Sequence, residues 1–417
     1  MARLLSGLSL GYFLVMLDTT IVTVALPALS PSLSDQQWIS NGYTLTFAAF
    51  LLTAGAWSDR FGARRVFFTG LTSFALFSAL SALSPSPAVL IALRALLGVA
   101  GALLVPSSLS LIASAYPSAA ARAKAMGVWA AVSGTGLVAG PLLGGLLTQA
   151  FGWRAIFLVN VPVALVALAL SRSAPATPPK PRRFDGLGQV SAVVALSTLT
   201  YALVEGDFWV LPLSLAAAGM FVASQRRPGA MLPLSLLSGK LLAGAIVNFG
   251  LSGVLFVLSL YFQETRGYSP SATGLAFLPL TIPTAFNPIF TGRLVARIGP
   301  RVPAVSGFVL MSSGVFLQAF TSWSVPALAL LGFGVSLAIP SLLTAVVGSA
   351  PPELAGTAGG ALNASRQTGA VLGVAILGAL LNMTSATTTL AVAGAVLLGG
   401  AFLFPVSYSR RQQETPC

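Results

Sequence analysis

The sequence predicts an all-α polytopic membrane protein: two six-helix halves with two further helices inserted between them, fourteen transmembrane helices in all. Three observations lead there. Of 417 residues, 56% are hydrophobic and only 7% are charged, whereas soluble domains carry about 25% charged residues. Apolar runs of about 18 to 25 residues recur along the chain, each long enough to cross a hydrocarbon layer of about 30 Å. Two stretches, "GAWSDRFGARRVFFTG" (Gly55–Gly70) and "GRLVARIGPRVPAVSG" (Gly292–Gly307), align without gaps, as two parallel halves would.

The first span, 7–28, follows Arg3 and has no small-residue cleavage site after a short apolar core, so it reads as a retained helix. Spans 41–60 and 66–84 flank the first repeat loop with its Arg60, Arg64 and Arg65. Span 87–114 holds Arg94, span 125–150 follows Arg122 and Lys124, and span 154–171 runs from Arg154 to Arg172. An N-terminal bundle therefore covers 1–171. The segment 172–239 holds "RSAPATPPKPRRFD" (Arg172–Asp185), spans at 187–205 and 209–224, and a basic loop with Arg226 and Arg227. It is the surplus over a six-plus-six repeat and reads as a linker with two extra helices. The second bundle, 240–405, has spans at 240–262, 270–291, 302–320, 324–347, 356–381 and 386–405, and residues 406–417 form a tail.

With loops alternating between two sides, every Lys and Arg except Arg94, Arg154, Arg266 and Arg366 falls on one side. The positive-inside rule makes that side cytoplasmic, with both termini there and the chain in the cell membrane. The net charge of +13 is then topology, its partner being anionic lipid headgroups. No soluble basic domain exists to bind nucleic acid. The chain has no histidine, and its single cysteine is Cys417, which excludes a histidine relay, an internal disulfide and a thiol-ligated metal cluster. Lys124, Lys180 and Lys240 all lie at the cytoplasmic boundary, so the chain does not read as an enzyme. No phosphate-binding G-x-x-x-x-G-K-[ST] occurs, and no cofactor or metal is expected. Whatever titrates within the membrane must be a carboxylate. Asp18 is the one at mid-depth.

The motifs resemble those of the major facilitator superfamily, and within it the fourteen-span drug:proton antiporters of the EmrB/QacA type. "LDTTIVTVALP" (Leu17–Pro27) resembles the first-helix motif of that branch, with Thr23 where Asn is usual. "GAWSDRFGARR" (Gly55–Arg65) resembles the loop between helices two and three, and "RALLGVAGA" (Arg94–Ala102) the R-x-x-x-G of helix four. "GLVAGPLLGG" (Gly136–Gly145) matches the antiporter motif of helix five in full. "WRAIFLVNVPV" (Trp153–Val163) and "RQTGAVLGVAI" (Arg366–Ile376) are similar to segments of the same branch. The resemblance implies a major facilitator fold that exports small amphipathic molecules against protons by alternating access. A uniporter or importer of an organic metabolite is the other reading on the same fold.

Each motif also has a physical reading. Asp18 and Arg94 lie at similar depths, about 17 Å from the inner and about 11 Å from the outer surface. An arginine side chain spans the difference. Burial favours a neutral carboxyl and a guanidinium favours an ionised one, so a helix movement that changes their separation makes Asp18 a proton carrier; a static buried pair is the alternative. In the loop, Gly55 and Gly62 allow a tight turn, and Asp59 with Arg60 and Arg64 forms a conformational latch by the resemblance. Gly136, Gly140, Gly144 and Gly145 allow another helix to approach to backbone contact. Pro141 permits a bend. Tyr12, Tyr43, Asn248, Phe256, Tyr261, Gln263, Asn287, Gln318, Asn363 and Arg366 are the candidate cavity lining for a small-molecule substrate. No acid lies in the helices from 270 to 405, which favours neutral, zwitterionic or monocationic substrates over dications. The solute, the stoichiometry and the oligomeric state stay open at this level.

Overall fold

The computed structural model describes residues 2–179, 185–227, 230–351 and 354–409. Linker residues 180–184, with Lys180, Arg182 and Arg183, and the tail beyond Ser409 lie outside the described residues. The rest is largely helical, with loops between the helices and an irregular stretch at 174–179. In chain order the helices are α1 (Ala2–Leu29), α2 (Leu33–Phe61), α3 (Ala63–Ala82), α4 (Pro87–Ala115), α5 (Ala119–Phe151), α6 (Ala155–Leu158), α7 (Asn160–Leu170), α8 (Gly186–Glu205), α9 (Leu211–Ser224) and α10 (Gly239–Leu260). A π-helical turn, Tyr261–Thr265, continues α10, followed by α11 (Pro270–Ala276), α12 (Leu278–Phe286), α13 (Pro288–Ile298), α14 (Arg301–Phe320), α15 (Ser324–Val347), α16 (Ala355–Met383) and α17 (Ala386–Ser409).

Local chemistry sets the ends. Ser32, Ser86 and Ser118 cap α2, α4 and α5, accepting from the amides of Asp35, Val89 and Ala121, which satisfies donors that a helix start leaves unpaired. Gly62 ends α2 at φ +88° and Gly299 ends α13 at φ +77°. These two are aligned positions of the sequence repeat, and both adopt a conformation open chiefly to glycine.

Among the described residues, ten helices are long and apolar enough to cross a membrane, with shorter apolar stretches at Ala155–Leu170 and Phe208–Ser224. The difference from the expected fourteen has physical sources. α2 carries Asp35, Gln36, Gln37, Asp59 and Arg60, which lower its hydropathy. The expected span 270–291 is divided into α11, α12 and α13, with a proline in the first turn of α12 and of α13, where a missing N–H interrupts the helical ladder. Large apolar side chains such as Leu83, Phe151, Trp209 and Phe402 lie more than two-thirds exposed. A bilayer is the solvent that accepts them.

The chain forms two compact units: Met1–Ser197 with Pro212–Met231 and Gly267–Leu275, and Thr198–Leu211 with Leu232–Arg266 and Ala276–Cys417. In the first, α1 packs chiefly on α5, α2 and α3 on α4, and α7 on both α1 and α3. The second repeats the scheme, with α10 on α16, α14 on α15, α12 and α13 on α15, and α17 on both α10 and α14. The start of the α8–α9 hairpin belongs to the first unit, where the Thr53 hydroxyl of α2 donates to Gln189 Oε1 of α8. Asp185 holds its ends together, accepting from Gly188 N at 2.8 Å, Gln225 Nε2 at 3.1 Å and Met231 N at 3.3 Å.

Candidate functional site

Asp18 on α1 has no exposed surface, and Arg94 on α4 is 1% exposed. Arg94 Nη1 donates to Asp18 Oδ2 as an ion pair, while Nε donates to the Ile39 carbonyl of α2 at 3.1 Å. The guanidinium carbon lies 4.6 Å from the centroid of the Tyr43 ring, a cation–π contact. The Tyr43 hydroxyl in turn donates to the Val15 carbonyl of α1 at 3.3 Å. The second carboxylate oxygen, Asp18 Oδ1, accepts from Asn160 Nδ2 of α7 at 3.0 Å, and the same amide lies 3.3 Å from Ser78 Oγ of α3. Five helices thus meet at one acid.

Glycines on α2 and α4 make this possible. A Cβ at Gly98 would meet the backbone of Tyr43 and Phe47, one at Gly101 would lie 2.8 Å from the Tyr43 hydroxyl, and one at Gly42 would lie 3.1 Å from the Ile91 carbonyl. The second residue pattern of the fourth span, Arg94 followed by Gly98 and Gly101, therefore seats the guanidinium on Tyr43. A charge pair taken out of water is costly and persists only when its remaining valences are satisfied. Asn160, Ile39 and Tyr43 do that here.

The α5 ladder flanks the same acid. Cβ atoms at Gly136, Gly140 and Gly144 would run into Phe13 O, Thr20 and Ile21 O of α1, residues on either side of Asp18. Gly145 closes instead on the Pro270 carbonyl of α11, and Gly274 of α11 on that of Pro141. The second unit has a counterpart that the sequence reading passed over: Gly369 and Gly373 of α16 press on the backbone of Ala245 and Phe249 of α10.

With this geometry in view, the comparisons with known proteins are decisive about family. The Major Facilitator Superfamily profile matches residues 8–374, and again 240–416. The chain belongs to the Major Facilitator Superfamily. It is 36% identical to the multidrug resistance protein Stp of Mycobacterium tuberculosis over 398 residues, covering 89% of this chain and 74% of that protein. It is 35% identical to the methylenomycin A resistance protein of Streptomyces coelicolor, covering 95% and 90%. An auto-inhibited peptide transporter of the POT family shares its fold at TM-score 0.74 and 16% identity, over 100% of this chain and 98% of that one.

The remaining expected positions fall in several places of this superfamily fold. At the first repeat loop, Arg64 donates through its amide to Thr177 Oγ1 at 3.3 Å and through Nη2 to the Arg172 carbonyl at 3.2 Å. A Cβ on Gly62 would lie 2.7 Å from the Thr177 carbonyl, and one on Gly55 would touch Pro106 of α4. Arg60 lies over the Phe61 ring at 5.5 Å, and Asp59 is half-buried. Tyr43 belongs to the acid cluster, and Phe256 is 1% exposed. Tyr12 stacks on Trp129 at 4.4 Å. Arg366 Nε donates to Asn248 Oδ1 at 3.2 Å, Asn287 Nδ2 to Ser336 Oγ at 2.7 Å, and Gln263 Nε2 to Ser259 Oγ at 3.2 Å. Tyr261 Oη accepts from Arg266 Nε at 2.9 Å. Gln318 is buried with neither amide end bonded, and Asn363 is half-buried. Asn160 and Ser78 were not expected at the site. The signal for Asn160 was the "FLVNVPV" stretch after the fifth span, but 142 residues separate it from Asp18.

Proposed function

We propose that the chain is a proton-coupled antiporter that exports small amphipathic organic molecules across the cell membrane by alternating access. Its organisation in this reading is the fourteen-span EmrB/QacA type, with bundles at 1–171 and 240–405, two extra helices within 172–239, and both termini cytoplasmic. The reading is supported first by the Asp18–Arg94–Asn160 cluster, an acid held by one cation and one amide where five helices converge. When α1 shifts against α4, the carboxyl exchanges its guanidinium for a proton, and the two states differ by one bound proton and one ion pair. The α5 ladder lies along α1 beside that acid, so a bend at Pro141 is transmitted to it. Asp59, Arg60 and Arg64, of which Arg64 bonds to the segment after α7, form the latch of one state.

A proton entering down about 100 mV releases roughly 2.3 kcal/mol, and each pH unit adds about 1.4 kcal/mol. Together these sustain a substrate gradient of up to several hundred-fold. The relatives' names, resistance to antibiotics and multidrug efflux, support export of drug-like molecules. Uptake of a dye and antibiotic panel into inverted vesicles, with and without a pH gradient, tests the reading. Uptake that collapses with the gradient supports it; uptake indifferent to the gradient removes proton coupling, and no uptake of any compound removes transport.

A further inference from the structure

A carboxylate accepts hydrogen bonds and donates none, whereas a carboxylic acid has a proton to give. A coupling acid therefore needs surroundings that serve both forms. The ionised form of Asp18 is served on each oxygen: Arg94 Nη1 holds Oδ2, and Asn160 Nδ2 holds Oδ1 at 3.0 Å. The protonated form needs an acceptor. Two carbonyls of the cluster are already engaged, that of Ile39 by Arg94 Nε at 3.1 Å and that of Val15 by the Thr19 and Tyr43 hydroxyls at 2.7 and 3.3 Å. Among the described residues, the side-chain oxygen of Asn160 is buried with no hydrogen-bond partner.

Asn160 opens α7 directly after the break at Val159, and neither it nor Ser78 has exposed surface. Its Nδ2 faces two acceptors, Asp18 Oδ1 and, at 3.3 Å, Ser78 Oγ. Half a turn of the amide exchanges its nitrogen and oxygen. Oδ1 then takes the position 3.0 Å from Asp18 Oδ1, a length that an O–H donor accommodates. It also faces Ser78 Oγ, and a hydroxyl that accepts in one arrangement can donate in the other. Arg94 of α4 and Tyr43 of α2 are the charged or titratable groups that face Asp18. Tyr12 of α1 is stacked on Trp129, and α6 and α7 carry none. Those of α3 and α5 fall within two turns of their starts, and the others of α2 in its end turns.

We propose that Asn160 is a further positioning residue for the coupling acid: its amide turns over as Asp18 takes a proton, donating from Nδ2 to the carboxylate and accepting through Oδ1 from the acid. This rests on Asp18 as the proton carrier and deepens that reading. A proton from water forms the O–H bond on Asp18 Oδ1, the oxygen away from Arg94, and the Ser78 hydroxyl reverses with the amide. Infrared difference spectra of the reconstituted full chain between alkaline and acid pH, with asparagine isotope-labelled at the amide carbon, test it. The wild type is expected to show a carboxylic-acid C=O band at a hydrogen-bonded frequency, lost in Asp18→Asn. An asparagine amide band should shift with the same pH midpoint and be lost in Asn160→Ser. Asn160→Leu, which neither donates nor accepts, should raise the acid band to the frequency of an unbonded acid and slow proton-driven exchange about tenfold or more. Asn160→Ser keeps a group that does both, and should keep the lower frequency and part of the rate. An amide band indifferent to pH, or one acid-band frequency shared by wild type and Asn160→Leu, overturns the proposal while leaving Asp18 as the carrier. Acid bands unchanged by Asp18→Asn overturn both. Should Asn160→Leu fail to insert, the wild-type amide band decides, with Asn160→Ser assigning it.

Discussion

Gly136→Ala probes the crossing of α5 on α1 with the smallest change available. The new Cβ would lie 2.7 Å from the Phe13 carbonyl oxygen and 3.2 Å from both Leu17 N and Met16 Cβ. Carbon and carbonyl oxygen settle at about 3.3 Å or more, so the helices must part by about 0.6 Å. Two of the three obstacles are backbone atoms, which no rotamer change removes. A radial gap of about that size forfeits a quarter to a half of the dispersion along the contact, and overpacking typically costs about 1 to 3 kcal/mol. Gly127 on the same helix is the control, since a Cβ there meets nothing within 4 Å. Thermal denaturation of the purified variants, paired with vesicle uptake, should show Gly136→Ala destabilised by that amount with uptake sharply reduced. Gly127→Ala should be neutral or slightly stabilised, because alanine is the better helix former. A Gly136→Ala protein as stable and active as wild type would refute the close crossing.

Asn160→Leu removes the amide that holds Asp18 Oδ1 at 3.0 Å; losing a hydrogen bond to a charged group should lower stability by about 1.5 to 3 kcal/mol and slow uptake. Gly299→Ala, at φ +77° in open space, should cost about 1 to 2 kcal/mol for its left-handed backbone. Gly62→Ala should cost more in the same denaturation assay, since its Cβ also meets the Thr177 carbonyl. A reporter inserted within 180–184 should be cytoplasmic by accessibility labelling, and finding it outside would break the proposed topology.

The helices were legible because they are apolar runs bounded by charge or by polar turn residues such as Ser84, Ser86, Thr384 and Ser385, and because lipid leaves the backbone no alternative to internal hydrogen bonds. The breaks at Val159, Phe277 and Asn287 were not. A proline close by interrupts a helix without changing hydropathy, so 270–291 looked continuous and became three helices. Arg94 and Asp18 could be paired from depth alone, because both are charged and their spans have countable ends. Asn160 could not, since an amide in an apolar run has no sign that calls for a partner. Tyr43 read as a cavity residue, and its contact with Arg94 was not legible, because an aromatic ring suits a ligand wall and a packed cluster equally. The α10–α16 crossing follows from glycines at Gly369 and Gly373, four apart like those of α5, a spacing readable once the repeat is extended beyond its loop.

The central claim is that Asp18 carries the coupling proton, and Asp18→Asn tests it most directly, keeping shape and depth while removing the only acid of the cluster. In vesicles with an imposed pH gradient, the variant should insert and bind substrate with weakened pH dependence, yet drive no exchange of substrate against protons. Exchange at the wild-type rate, with the wild-type pH dependence, would contradict the account.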